Sequence, residues 1–118
     1  MTSEIPVKDR YYEDFAVGES FTLGSVEMVE KEMIEFATQF DPQRFHIDPD
    51  AAAQTVYGGL IASGWHTGSL MMRLSADYFL GESSLGAAGA SELSWPAPVR
   101  AGDTLTLQIE VLSMRESN

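Results

Sequence analysis

The sequence contains no cysteine. This absence excludes disulfide bonds, thiolate nucleophiles and metal sites built from cysteine. Histidine is also scarce, with two in the chain, and neither stands at metal-ligand spacing from the scattered carboxylates. We therefore predict no metal site and look for chemistry in carboxylates, imidazoles and backbone groups.

Basic residues are few: seven lysines and arginines face 18 acidic side chains, which gives a formal net charge of −11. Such a field repels phosphodiesters, so we predict no nucleic-acid partner. It still permits a phosphorylated ligand, because a few local cations can hold one. Arg44, Arg73 and Arg100 are the candidates for this role, and the alternative for each is a solvated surface charge.

Long apolar runs are also missing. The first ten residues have no apolar core of the kind found in a signal peptide, and no stretch reaches the length of a membrane span. We therefore predict a soluble, cytoplasmic protein without membrane contact. A chain of 118 residues with 44% apolar content predicts one domain, residues 1–118, whose small core favours burial against another subunit.

Three elements are predicted in the first half of the chain. Apolar residues alternate loosely after the turn at residues 17–19, which indicates a strand. From residue 29 they recur at helical spacing, and Asp41-Pro42 ends this helix because the residue before proline avoids helical backbone. Asp48 followed by Pro49 is typical of an N-cap and first helical position.

The second half predicts a long helix and two strands. Residues 61–80 are apolar on almost every side, which indicates a buried helix, and Gly81 ends it. Residues 85–95 are interpreted as a strand of small residues stopped by proline. After a turn at residues 99–103, strict alternation over residues 104–111 predicts a half-buried strand.

One segment carries a specific chemical pattern. A carboxylate and an imidazole, Asp41 and His46, stand five residues apart on a proline-broken turn, and the glycine-punctuated start of the long helix follows. An acid/base pair beside a helix N-terminus can add water to an activated carbonyl compound or remove it. Asp41 could instead be a helix C-cap, and His46 a half-buried structural histidine. Gln43 could orient the water or a ligand amide, or stabilise the turn. We interpret His66 as a core or interface residue.

These residues resemble those of the MaoC-like dehydratases, a hotdog-fold family that includes the (R)-specific enoyl-CoA hydratases. The resemblance covers residues 11–111 in three blocks: residues 12–18, residues 41–67 and residues 95–105. The middle block is the most specific. It matches an Asp-x-Asn-Pro-x-His motif, with Gln43 and Arg44 in place of the asparagine and the proline.

The resemblance implies an α+β hotdog fold, in which a curved antiparallel sheet wraps around the long central helix. It implies a homodimer or higher oligomer, and a reaction between a trans-2-enoyl-CoA and a 3-hydroxyacyl-CoA. Asp41 and His46 then share a water, and the backbone N–H of Gly64 is the oxyanion donor, with Gln43 and Ser63 as further substrate contacts. The resemblance implies no cofactor, since the CoA or acyl carrier protein is part of the thioester substrate itself.

Two departures from the family pattern leave alternatives open. Some hydratases of the family carry a serine on the central helix where this chain has Met72, and the chain ends before two further core strands of the family. We therefore expect missing C-terminal strands, or a second hotdog chain that completes the fold. The alternatives to a hydratase are a non-catalytic partner subunit, a hotdog thioesterase and a small binding domain without turnover.

Overall fold

The computed structural model describes residues 4–116. Residues 1–3 and 117–118 lie outside this range. The predictions about a leader segment and about the C-terminal end of the chain fall partly on them. The described elements are two strands, four α-helices and two short 3₁₀ turns. They are β1 (Ser20–Glu27), α1 (Glu30–Phe40), α2 (Arg44–Ile47), α3 (Pro49–Ala53), α4 (Gly64–Tyr78), β2 (Thr104–Glu110), and the turns Val7–Asp9 and Tyr12–Asp14.

The chain forms two compact units. The first unit contains residues 4–25, 72–89 and 106–116, and the second contains Val26–Met71 and Ala90–Leu105. Within the described residues the sheet has two strands, β1 and β2. The strands are antiparallel: in the first unit Gly18 and Val111 are joined by an N–H···O bond of 2.7 Å, and in the second Met28 and Asp103 by one of 2.8 Å.

The second unit holds the larger apolar core. Its buried centre combines residues from the strand end, the helices and the segment before α4, namely Met28, Met33, Ala52, Leu60 and Ala62. The short helix α2 contacts both α1 and α3. In the first unit, the rings of Phe15, Phe21 and Phe79 form a cluster with centroids about 6 Å apart. The guanidinium of Arg10 lies over the first two of these rings and pairs with Glu19 at 3.0 Å.

The predicted strands after residues 17–19 and over residues 104–111 are confirmed, as are the helix ending at Asp41-Pro42 and the capped helix after Asp48. The predicted strand at residues 85–95 is wrong, because none of these residues is in a strand. Leu85 is 99% exposed, and the run of glycine and alanine that follows has little side chain to pack against a sheet.

The long helix differs from its prediction in both of its ends and in its burial. It ends at Tyr78, two residues before the predicted end at residue 80. It begins at Gly64 rather than residue 61, because the N–H groups of Ile61 and Ala62 bond to the carbonyls of Phe45 and Val99 and hold that segment extended. It is also not buried all round. One side carries buried and half-buried residues, His66, Leu70 and Leu74, while another carries the exposed residues Trp65, Ser69, Met72 and Ala76. No helix within residues 4–116 is long and apolar enough to cross a membrane.

Candidate active site

Asp41 and His46 are brought together by the break between α1 and α2. Asp41 closes α1 by donating its N–H to the Ala37 carbonyl at 2.8 Å, and Pro42 prevents another helical turn. The chain then starts α2 two residues later, which turns His46 back toward the end of α1. As a result, His46 Nε2 lies 3.3 Å from Asp41 Oδ2. The structure therefore places the predicted acid/base pair within direct reach.

The orientation of the His46 ring follows from its other nitrogen. His46 Nδ1 lies 2.8 Å from the Ile61 carbonyl, which can only accept, so Nδ1 carries a proton. Ile61 is itself held by its N–H bond to the Phe45 carbonyl at 3.0 Å. In the neutral ring, Nε2 then presents a lone pair toward the Asp41 carboxylate. Asp41 Oδ2 and His46 Nε2 are then both hydrogen-bond acceptors, which favours the binding of a donor such as water beside them.

The Asp41 carboxylate is held on both oxygens. Gln43 Nε2 donates to Oδ1 at 2.7 Å, and Ser63 Oγ donates to Oδ2 at 2.8 Å. The Gln43 hydrogen bond lowers the pKa of Asp41 below its ordinary value, partial burial opposes this effect, and the Ser63 hydrogen bond and the charge of His46 in its protonated form lower the pKa further. Asp41 is therefore ionised throughout the neutral pH range.

The start of α4 supplies an open backbone donor. The N–H of Gly64 has no acceptor within residues 4–116, while the next N–H, that of Trp65, points to Ser63 Oγ at 3.3 Å. The Trp95 indole donates to the Gly64 carbonyl at 2.9 Å, and a Cβ on Gly64 would collide with the Trp95 ring. Glycine is thus required here by a close contact, at the positive end of a 15-residue helix.

Asp41, His46 and Gly64 border a cavity of about 370 Å³ in the second unit. This volume is in the range of small-molecule sites. Its walls are mostly apolar and aromatic, formed by Asp41, Phe45, His46, Tyr57, Ile61, Ala62, Gly64, Trp65, Thr67, Trp95, Pro96, Ala97, Pro98 and Val99. Gln43 and Ser63 do not line it: the first is exposed and the second is fully buried behind the wall.

The three candidate phosphate-binding arginines have different surroundings. Arg100 Nη2 donates to the Tyr57 carbonyl at 2.6 Å, next to the cavity wall at Val99, and Arg44 is exposed beside Phe45. Arg73 is engaged by Asp77 one turn along α4, at 2.8 Å. Arg44 and Arg100 therefore stand next to cavity-lining residues.

His66 packs away from this cavity. Its ring stacks on Phe36 with centroids 4.8 Å apart, and it is buried. Burial lowers the pKa of His66, and the nearby charge of Glu32 partly opposes this effect. These surroundings agree with the interpretation of His66 as a core residue.

Sequence reasoning missed the aromatic walls of the site. Tyr57, Trp65 and Trp95 line the cavity, and the two indoles meet edge to face with centroids 5.5 Å apart. Trp95 lies 31 residues from the glycine it covers. The sequence signals for these residues are weak. Trp95 stands directly before a turn that contains two prolines, and Tyr57 directly precedes the glycine pair at residues 58 and 59.

The family model described as "MaoC like domain" matches residues 14–118. The chain therefore belongs to the MaoC-like domain family. The match confirms the resemblance drawn from the acid/base turn, the glycine-rich helix start and the proline-containing turn.

Solved structures of this family share the fold. The MaoC-like dehydratase from Rhodospirillum rubrum is 42% identical with a TM-score of 0.78, over 92% of this chain and 74% of that one. The (R)-hydratase from A. caviae involved in PHA biosynthesis is 30% identical with a TM-score of 0.73, over 88% and 77%. The α+β hotdog fold is thereby confirmed.

Among curated proteins, an uncharacterized protein of Bacillus subtilis (strain 168), YdeM, is 29% identical over 101 residues, which cover 85% of this chain and 72% of that protein.

Proposed function

We propose that this protein is an acyl-thioester hydratase or dehydratase that interconverts a trans-2-enoyl-CoA and a 3-hydroxyacyl-CoA. One observation carries the proposal: Asp41, His46 and the open N–H of Gly64 border the same cavity. Membership in the family and the similarity to (R)-hydratases support it.

Hydration begins with a water held by the facing acceptors, Asp41 Oδ2 and His46 Nε2. The thioester carbonyl draws charge from the double bond, so the water oxygen attacks the β-carbon while His46 Nε2 takes its proton. Negative charge then develops on the carbonyl oxygen. The Gly64 N–H is the donor for that oxyanion, in a largely apolar cavity where such a bond is strengthened.

The proton held by His46 then passes to the α-carbon, and the negative charge returns to form the carbonyl. The net change is one water added across the double bond, with OH on the β-carbon and H on the α-carbon. Because one pair handles both proton transfers, both occur on the same face of the alkene. Dehydration runs through the same steps in reverse.

If the carrier of the thioester is CoA, its phosphates extend out of the cavity and need positively charged side chains nearby. Arg44 and Arg100 stand beside the cavity walls in an otherwise acidic protein, so we propose them as contacts for its phosphates. The acyl portion lies against the aromatic walls.

The test is loss of enoyl absorbance from crotonyl-CoA, with free thiol measured in parallel. We expect hydration without thiol release. The variants Asp41→Asn and His46→Ala should each lose about 10²- to 10⁴-fold in kcat/KM while they remain folded by circular dichroism. Asp50→Asn, the same change at an exposed position on α3, is the control and should retain activity.

Other results point elsewhere. Wild-type rates in either active-site variant would refute the assignment of the pair. Thiol release would instead indicate a thioesterase. A folded protein that is inactive alone, and gains activity with a second hotdog subunit that co-purifies, would be a non-catalytic partner.

A further inference from the structure

Ser63 contacts both Asp41 and the first turn of α4, but the proposed reaction assigns it no role. It is fully buried and is not among the residues that line the cavity. Its hydroxyl nevertheless donates to Asp41 Oδ2 at 2.8 Å. This is the same oxygen that faces His46 Nε2 at 3.3 Å.

The direction of this hydrogen bond is determined by its partners. An ionised carboxylate can only accept, so Ser63 must donate its hydroxyl proton to Asp41. The remaining lone pairs of Ser63 Oγ face the Trp65 N–H in the first turn of α4, at 3.3 Å. Ser63 is thus the link between the acid/base pair and the positive end of the helix that carries Gly64.

We infer that Ser63 is a positioning residue for the proposed hydration: its hydroxyl fixes Asp41 Oδ2 against His46. Gln43 holds the other oxygen, so the two bonds together determine the plane of the carboxylate. The inference rests on the proposed function for its catalytic consequence, but the contact with Asp41 can be tested independently of activity.

The direct test is a carbon-detected NMR titration of the Asp41 carboxyl, assigned with Asp41→Asn. In Ser63→Ala the Asp41 carboxylate loses a donor to its charged form, so its titration should move to higher pH. Ser69→Ala is the matched control. Its hydroxyl lies on α4, the helix that Ser63 directly precedes, but it donates to the Trp65 carbonyl at 2.7 Å, so this change should leave the Asp41 titration in place.

The pH dependence of the kinetics should change in the same direction as the Asp41 titration. If the reaction needs ionised Asp41, the acid limb of kcat/KM should move to higher pH in Ser63→Ala. The maximal rate should fall about tenfold to a hundredfold because Oδ2 is no longer held in place. Ser63→Cys has similar volume and a poorer donor, so it should give an intermediate shift and serves if Ser63→Ala does not fold.

An unchanged Asp41 titration in a folded Ser63→Ala or Ser63→Cys protein would overturn the inference. So would a loss of stability with no movement of the acid limb, since that is the result expected from a helix cap alone. If the wild type shows no hydration, the proposed function fails. The carboxyl titration would still decide the role of Ser63.

Discussion

At the residue scale, the site depends on one position where only glycine fits. Gly64 offers an N–H without an acceptor in the described chain, and a Cβ at this position would collide with the Trp95 ring. The same tryptophan holds the Gly64 carbonyl. A side chain at this position would therefore disturb both the cavity wall and the proposed oxyanion donor.

We expect Gly64→Ala to reduce kcat/KM by at least about tenfold, because the displaced indole shifts the start of α4. Gly68→Ala is a matched control one turn further along, where an added Cβ meets nothing within 4 Å. It should keep activity and gain about 0.5–1 kcal/mol in unfolding free energy, because alanine favours helix. Steady-state kinetics, tryptophan fluorescence and urea denaturation measure these effects. Equal activity in the two variants would contradict the role of Gly64.

At the element scale, the short helices α2 and α3 determine where His46 points. The carboxylate of Asp48 accepts the N–H groups of Asp50 and Ala51 at 3.0 and 3.1 Å, and Pro49 takes the first helical position. Since α3 contacts α2, this cap supports the turn that carries the histidine.

Asp48→Ala should lower the free energy of unfolding by about 1 kcal/mol, because two N–H groups lose their acceptor. Asp48→Asn keeps a capping oxygen and should cost much less. Asp50→Ala removes a carboxylate from the same turn without removing a cap, and serves as the control in urea denaturation. A loss in Asp50→Ala as large as that in Asp48→Ala would show that charge, rather than capping, is responsible.

The elements predicted correctly are those with local signals. Proline after Asp41 and after Asp48 marks one helix end and one helix start, and the alternation in β2 marks a strand whatever surrounds it. The proximity of Asp41 and His46 is likewise a local feature, because they stand five residues apart on one turn. The family resemblance rests on sequence blocks that contain these local motifs, and the match to the family model confirms it.

The elements predicted wrongly depend on distant partners. The start of α4 differs from its prediction because Ile61 and Ala62 bond to backbone groups of Phe45 and Val99, which no local pattern reveals. The apolar content of α4 predicted that it is buried on all sides. Burial, however, depends on which other parts of the protein pack against the helix, and several α4 residues are exposed. Trp95 over Gly64 and Ser63 behind Asp41 are likewise contacts across 31 and 22 residues.

At the scale of the whole molecule, α4 leaves an exposed stripe. Trp65, Ser69, Met72 and Ala76 recur at helical spacing and are all exposed, with Trp65 at 60% and Met72 at 52%. Exposed apolar area of this kind favours association. The net charge of −11 opposes it, because two copies repel one another.

We therefore predict that two copies associate through this stripe and that added salt strengthens the association by screening the charge. Light scattering after size exclusion should give a mass above the 12.9 kDa of one chain. Met72→Glu should lower that mass, because it places a carboxylate in the contact at a desolvation cost. Gln39→Glu adds the same charge at an exposed position on α1 and should leave the mass unchanged. If both variants weaken association equally, net charge alone governs it. If neither does, the copies meet elsewhere and α4 is covered by a different partner.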